Sequence, residues 1–342
     1  MGHVAPSLAV AEALRKRSVT VTFAGSPDRV EAQLVPERGY AFDSFAVAGF
    51  PRRPGLPLLR ALALAAASPL ACLRILARRR PDVVLGGGGY VAGPMVLAAW
   101  LRRIPAVLTE ADAHLGLANR LAAPFAARVF LALPVDGRSG AKYAAVGRPI
   151  PERSRAVARE EARAKLGLPA TGPVVLVFGG SLGALLLNEL AVDAWGEAGP
   201  AVLHLCGERD YEALRARVDR PGYVLLPFLD EIGLAYGAAD VAVARAGGSV
   251  WELAAAGLPA VLVPGAFATG GHQEKNARAF ERAGGAAVVA EEDVARVPEL
   301  VDGLLADPAR LAAMSDAMRA AAKPDAAERI ADELVALAAA RR

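Results

Sequence analysis

The sequence predicts an α/β protein of two doubly wound domains facing across a cleft. Three observations lead there. The chain has 342 residues, more than one core usually holds and suited to two domains of roughly 150 residues each. Short runs rich in Val and Leu alternate with longer Ala/Leu/Arg stretches, the pattern of βαβ units on a parallel sheet covered on both faces. Hydrophobic residues make up 54% of the chain and charged residues 22%, enough apolar surface for two cores and too much for any long disordered stretch.

The first element expected is a helix over residues 7–17, entered directly from Met1-Gly2-His3-Val4-Ala5-Pro6. A doubly wound domain ordinarily begins with a strand that feeds its first helix, so the chain reads as truncated at its start. Strands are then expected at 19–24, 83–85, 106–109 and 129–131, and after a break at 174–178, 202–205, 223–226, 241–244 and 260–263. Gly147-Arg148-Pro149-Ile150-Pro151 and Gly167-Leu168-Pro169 punctuate the break around one charged helix. The expected boundaries are a first domain at 1–147, an interdomain connection at 148–172, a second domain at 173–323 and a terminal helix at 324–342 able to pack on either domain.

The net charge of +3 is small, and no nucleic-acid partner is expected, but the charge is unevenly spread. Between residues 50 and 103, Arg52, Arg53, Arg60, Arg74, Arg78, Arg79, Arg80, Arg102 and Arg103 stand against the single acid Asp82, with mostly Leu and Ala between them. The uncharged stretch Ala61 to Leu73 has 13 residues and contains Pro69, short of the roughly 20 a spanning helix needs. Two readings stand side by side. The segment is an amphipathic helix packed on its own sheet, or it is an apolar surface with a basic rim that lies on an anionic leaflet. Cys72 and Cys206 stand alone, without the spacing of a zinc site or a disulfide framework, which suits a reducing, cytoplasmic setting.

Glycine-rich junctions between strand and helix carry the candidate chemistry. Gly86-Gly87-Gly88-Gly89-Tyr90 permits close backbone approach and positive φ before a helix. Gly179-Gly180-Ser181-Leu182-Gly183-Ala184 opens a helix whose free N–H groups and dipole suit a diphosphate; the bland reading is a tight turn with Ser181 as a cap. In Arg245-Ala246-Gly247-Gly248-Ser249-Val250-Trp251-Glu252, Ser249 and Glu252 have the spacing of a capping box. Equally, Glu252 is a carboxylate at the sheet mouth that accepts a pair of ribose hydroxyls. Gly270-Gly271-His272-Gln273-Glu274-Lys275-Asn276 offers amides for sugar hydroxyls, or is a solvated loop with Asn276 inside the next helix. Glu110-Ala111-Asp112-Ala113-His114 superficially offers metal ligands, yet no second cluster and no Asp-x-Asp motif accompanies it.

Taken together, Gly2-His3-Val4-Ala5-Pro6, Pro81-Asp82-Val83-Val84-Leu85-Gly86-Gly87-Gly88-Gly89-Tyr90, Gly179-Gly180-Ser181, Glu252-Leu253-Ala254-Ala255-Ala256-Gly257-Leu258-Pro259 and His272-Gln273-Glu274-Lys275-Asn276-Ala277 resemble the MurG family, in order and over essentially the whole chain. The resemblance implies a GT-B fold of two Rossmann-like domains. It implies transfer of N-acetylglucosamine from UDP-N-acetylglucosamine to the muramyl C4 hydroxyl of lipid I, with inversion, forming lipid II for peptidoglycan without metal or other cofactor. By position, Ser181 contacts phosphate, Phe228 and Leu229 border uracil, Glu252 takes ribose, Gln273 and Asn276 lie by the sugar, and Gly180, Asn188 and His272 join them in binding the UDP-sugar. The acceptor side is given to Gly88, Gly89, Tyr90, Asp112 and Asn119. His3 matches the family's proposed general base. At a helix start the positive dipole end keeps its imidazole neutral, unless it only orients substrate. The implied setting is the cytoplasmic face of the bacterial inner membrane, bound peripherally to anionic lipid, with a cell-wall synthesis complex as a further partner.

Departures from the family pattern are equally visible. Met1 stands where relatives have a strand and a glycine-threonine loop, Leu182 where a glutamine is common and Asp112 where an asparagine is usual. Arg148-Pro149-Ile150-Pro151 replaces Asn-Pro-Val-Arg, so the usual arginine is absent and Arg148 or Arg245 is left to supply its charge. Rival readings are another GT-B enzyme, including a UDP-N-acetylglucosamine 2-epimerase, and a non-catalytic paralogue that binds UDP-sugar.

Overall fold

The computed structural model describes residues 3–48, 55–111, 115–180, 183–265 and 271–341. The chain forms two compact units, Met1–Pro151 with Pro324–Arg342, and Glu152–Lys323. In chain order the first unit contains α1 (Val4–Lys16), β1 (Thr22–Gly25), α2 (Glu31–Glu37), β2 (Ala41–Ser44), α3 (Leu56–Arg79), β3 (Val84–Gly86), α4 (Gly89–Leu101), β4 (Ala106–Glu110), α5 (Leu117–Ala122), β5 (Arg128–Leu131) and β6 (Tyr143–Ala145). The second contains α6 (Arg159–Leu166), β7 (Val174–Phe178), α7 (Leu185–Trp195), β8 (Ala201–Leu205), α8 (Tyr211–Arg215), β9 (Tyr223–Leu226), α9 (Ile232–Ala238), β10 (Val241–Ala244), α10 (Ser249–Ala256), β11 (Ala260–Leu262), α11 (His272–Arg282), β12 (Ala286–Val288), α12 (Val297–Leu305) and α13 (Pro308–Ala321). The last helix, α14 (Ala326–Arg341), returns to the first unit.

In the first unit the strands form two parallel sheets, β1-β2 and β3-β4-β5-β6. Helix α1 serves both because its apolar residues recur at helical spacing on two faces. Ala9, Val10, Ala13 and Leu14 pack with Val107 and Phe130, whereas Leu8 and Ala11 pack with Val35 and Tyr40. The other face of the four-stranded sheet is covered by α3 and α4 through Cys72, Ile75, Leu76, Met95, Val96 and Ala99. Phe45, just after β2, enters that same core. Buried Asp43 accepts from Arg78 at 2.6 Å and from Arg79 at 2.7 Å, and the Arg79 hydrogen bond leads in holding its carboxyl below the usual range. Two arginines of the basic segment thus brace α3 against β2.

Helix α14 lies on α1. Ile330, Ala331 and Leu334 are fully or almost fully buried there, each large side chain stabilising by roughly 1.5–3 kcal/mol. Arg17 pairs with Asp332 and Arg128 with Glu333 at its edges. Among the described residues no helix is long and apolar enough to cross a membrane; α3 has 24 residues with Pro69 inside it.

The second unit is one six-stranded parallel sheet in the order β12-β11-β10-β7-β8-β9. Strands β7 and β10 are buried throughout and read as continuous Val/Leu/Phe/Ala runs, as two-sided coverage requires. The chain winds outward from β7 first one way and then the other, so β7 and β10 flank the topological switch point. The helix inside residues 148–172 belongs to this unit by packing: α6 lies on α9, and buried Arg163 donates to Ala238 O and pairs with Asp240.

Strands 174–178, 223–226 and 241–244 lie where the sequence predicts them. The strand expected at 19–24 begins at Thr22 because Ser18, at φ 59°, turns the chain after α1 and Val19 is left exposed. Strands β2, β6 and β12 were not expected; they have three or four residues and partial burial, too little for an alternation signal.

Candidate active site

Parallel α/β sheets bind ligands beyond the carboxyl ends of their strands at the switch point. In the second unit Phe178, the last residue of β7, is registered with Ala244, the last of β10, so the loops 179–184 and 245–248 leave from adjacent strands. The β11 exit lies one strand further along. Three of the sequence-predicted glycine and polar segments thereby share one sheet edge.

The first of these loops is shaped by glycine conformations. Gly180 has φ 92° and Gly183 φ 72°, and Gly183 N–H donates to Gly180 O at 3.0 Å. A methyl group on Gly183 would collide with the carbonyl oxygen of Cys206, so only glycine fits where the loop crosses the end of β8. Ser181 lies outside the described residues. Helix α7 follows without a side-chain cap, so its first N–H groups face this loop.

Asn188 in the first turn of α7 is fully buried. Its amide donates to Cys206 O and to Asp210 Oδ2, both at 2.9 Å, and its Oδ1 faces His204 Nε2 at 3.0 Å. His204 Nδ1 in turn lies 2.9 Å from the Tyr223 hydroxyl. Since the Asn188 amide hydrogens are spent on acceptors, Oδ1 requires a donor, which sets the Nε2–H tautomer of His204. Burial pushes the His204 pKa down to about 4, so the ring is neutral. Asn188 thus has its amide and its carbonyl oxygen committed internally, to Cys206, Asp210 and His204.

Glu252 corrects the capping-box alternative. Helix α10 begins at Ser249, its N-cap is Gly248, and no side chain caps it. The Glu252 carboxylate instead accepts a 2.6 Å hydrogen bond from the hydroxyl of Tyr236 on α9. Gln273 Oε1 accepts from Gly265 N–H at 2.8 Å, holding the β11 exit loop. Asn276 is buried inside α11, donates to Ala246 O at 3.3 Å and has no partner for Oδ1 among the described residues. His272 opens α11 half-buried; Phe228 is exposed and Leu229 half-buried beyond β9. Arg245 donates to Val263 O and pairs with Glu291 at 2.5 Å, at the same sheet edge.

In the first unit the structure brings His3 to the glycine tract. A side chain on Gly88 would come within 2.7 Å of His3 Nδ1 and one on Gly89 within 3.6 Å of its Cδ2. Gly88, at φ 97° and ψ −177°, is the N-cap of α4, and half-buried Tyr90 lies in that helix's first turn. His3 is the exposed N-cap residue of α1, and its carbonyl accepts from Ser7 Oγ at 3.0 Å. Asn119 is buried, donating to Thr109 O and Glu110 Oε2, with no partner for Oδ1 among the described residues. Asp112 and His114 lie outside the described residues. Arg148 is buried and donates to Ala111 O at 3.3 Å.

The sequence reading missed Tyr236 and the His204–Tyr223 pair, and it weighed Glu110 only as a superficial metal ligand, whereas Glu110 accepts from Asn119 and from Gly116 N–H. Tyr236 and His204 sit on elements distant in sequence from the residues they contact, and a tyrosine in a Gly/Ala-rich helix or a histidine inside an apolar strand carries no motif.

Known proteins share this arrangement. Residues 1–131 match the glycosyltransferase family 28 N-terminal domain and residues 174–330 the glycosyltransferase family 28 C-terminal domain. A curated relative from Halothermothrix orenii is 37% identical over 94% of this chain and 92% of its own length. Another, from Rhodococcus jostii, is 42% identical over 100% of this chain and 94% of its own. Both are named UDP-N-acetylglucosamine--N-acetylmuramyl-(pentapeptide) pyrophosphoryl-undecaprenol N-acetylglucosamine transferase. The crystal structure of Acinetobacter baumannii MurG superposes with a TM-score of 0.76 at 28% identity, covering 98% of this chain and 96% of that one. The calicheamicin glycosyltransferase CalG4 shares the fold, with a TM-score of 0.68 at 20% identity over 98% of this chain and 95% of its own.

Two Rossmann-like units with a glycine-loop switch point and this likeness define a glycosyltransferase of GT-B fold. Within that class, the chain belongs to the MurG family of glycosyltransferase family 28.

Proposed function

We propose that this enzyme moves N-acetylglucosamine from UDP-N-acetylglucosamine to the muramyl C4 hydroxyl of lipid I, giving lipid II and UDP. The observation that carries the donor half is the switch point of the second unit, where the 179–184 loop, Glu252 and the Gln273–Asn276 segment meet one sheet edge. Free N–H groups at the start of α7 suit the diphosphate, and the carboxylate of Glu252 suits ribose hydroxyls. In the acceptor half, His3 beside Gly88 and Gly89 takes the proton of the C4 hydroxyl as its oxygen bonds to the donor's anomeric carbon. The bond from that carbon to the β-phosphate oxygen breaks, UDP leaves with the electron pair, and the configuration inverts. Arg245 lies by the β11 exit and supports the reading in which it supplies the charge that the Arg148-Pro149 segment lacks in the family's usual place.

The first unit is assigned the acceptor and the membrane. Leu70 on α3, Trp100 and Leu101 at the end of α4, and Leu117 and Leu121 on α5 are all more than half exposed, while Arg74, Arg102, Arg103 and Arg120 are exposed near them in sequence. Such a surface supports peripheral binding to an anionic leaflet, on the cytoplasmic face where lipid I is made.

The test is transfer of labelled N-acetylglucosamine from the UDP-sugar to a lipid-linked muramyl-peptide acceptor with chelator present. Label in the lipid fraction, strictly dependent on acceptor, is the expected result. UDP-sugar bound without turnover would favour the non-catalytic reading, and turnover without acceptor the epimerase.

A further inference from the structure

We propose that Tyr236 is a positioning residue for the donor nucleotide: its hydroxyl fixes the plane of the Glu252 carboxylate so that the second oxygen meets the ribose hydroxyls. The inference deepens the proposed function and rests on Glu252 taking the ribose.

The geometry is specific. Tyr236 is 3% exposed on α9, and its ring lies 6.2 Å from that of Phe178, the residue that leads into the 179–184 loop. Its hydroxyl donates to Glu252 Oε2 at 2.6 Å, the length of a charge-assisted O–H···O⁻ bond. Among the described residues Glu252 Oε1 has no partner, and Glu252 itself is half-buried in the first turn of α10. Freed of a capping task, a glutamate there would sample several rotamers, each needing to be frozen when nucleotide binds. One bond from a buried, immobile phenol removes that freedom beforehand and leaves a single open oxygen, an economy that preorganised sites gain in affinity. Burial comes first, and the neighbouring carboxylate second, in raising the Tyr236 pKa well above its ordinary value, so the hydroxyl remains a donor across the working range.

The experiment compares binding of UDP with binding of a uridine diphosphate whose ribose lacks both hydroxyls, by calorimetry on the full chain. Tyr236→Phe keeps the ring against Phe178 and removes one oxygen. Expected is a roughly ten-fold loss of UDP affinity with the dideoxy analogue unchanged. Glu252→Ala loses at least as much for UDP alone, and the double variant is no worse than Glu252→Ala. If Glu252→Ala abolishes the discrimination while Tyr236→Phe binds both nucleotides as the parent does, the positioning role is overturned and the ribose role of Glu252 stands. Equal weakening of both nucleotides by Tyr236→Phe also overturns it, since that marks a general packing role. Unaltered discrimination in Glu252→Ala removes the ribose assignment and this inference with it.

Discussion

His204 is the residue on which the second unit's acid sensitivity turns. Its pKa falls from 6.5 to about 4 because it is buried within β8, where a charged ring would lose its hydration. Between those values the unfolded chain binds the proton and the folded chain does not. Stability is therefore complete above about pH 6.5 and declines as pH falls toward 4, by on the order of 3 kcal/mol over the window. Asp43 and Asp210, whose carboxyls are held low chiefly by arginine hydrogen bonds, contribute only at still lower pH. Urea unfolding at pH 7, 5.5 and 4.5 measures this; a flat profile contradicts a neutral buried ring. Glu252 and Asn188 could be picked out from the sequence as candidates because each stands a few residues after a glycine loop. Their partners were not, since Tyr236 and His204 meet them only through packing of α9 and β8.

At the scale of the element, the loop leaving β7 depends on glycine for two separate reasons. Gly183 needs its positive φ, and its α-carbon abuts Cys206 O; Gly172 has φ 85° with open space around it. Gly172→Ala is expected to cost about 1 kcal/mol from backbone strain alone. Gly183→Ala is expected to cost about 3 kcal/mol and to raise the KM for UDP-N-acetylglucosamine at least about ten-fold, because the loop must lift from β8. Equal effects from the two, read by urea unfolding and donor titration, would refute the close-approach argument. The long buried strands β7 and β10 were plain in the sequence because coverage on two sides demands unbroken apolar runs. The short strands β2, β6 and β12 owe their pairing to neighbours in space, which local composition does not encode. The fate of the last helix was equally hidden: Ile330 and Leu334 mark an apolar face, but only the fold shows that α1 receives it.

The whole molecule combines a unit proposed to bind the nucleotide with one whose Leu70, Trp100, Leu101, Leu117 and Leu121 are exposed and are proposed to meet lipid. Replacing Trp100 and Leu101 together by serine is expected to weaken sedimentation with anionic vesicles roughly ten-fold, since interfacial binding scales with buried apolar area. Raising salt is expected to weaken the parent protein too, because the arginine contribution is screened. Calorimetric UDP binding by the second unit should stay unchanged in the double variant. Vesicle binding indifferent to both changes would remove the membrane assignment. Two glycine-rich tracts were visible in the sequence as motifs, whereas the apolar surface was ambiguous there: Arg78 and Arg79 face Asp43, so at least these two charges of the basic segment are structural.

The most direct measurement of the central claim is the structure of the product. Lipid-linked muramyl peptide and UDP-N-acetylglucosamine, which carries an α-linked sugar, are incubated with the enzyme in chelator, and the product is analysed by mass and by the anomeric proton coupling. Expected is one added N-acetylglucosamine in β-linkage to the muramyl C4 oxygen, with one UDP released per transfer. An α-linked product, a free epimerised sugar nucleotide, or bound UDP-sugar with no product at all would contradict it.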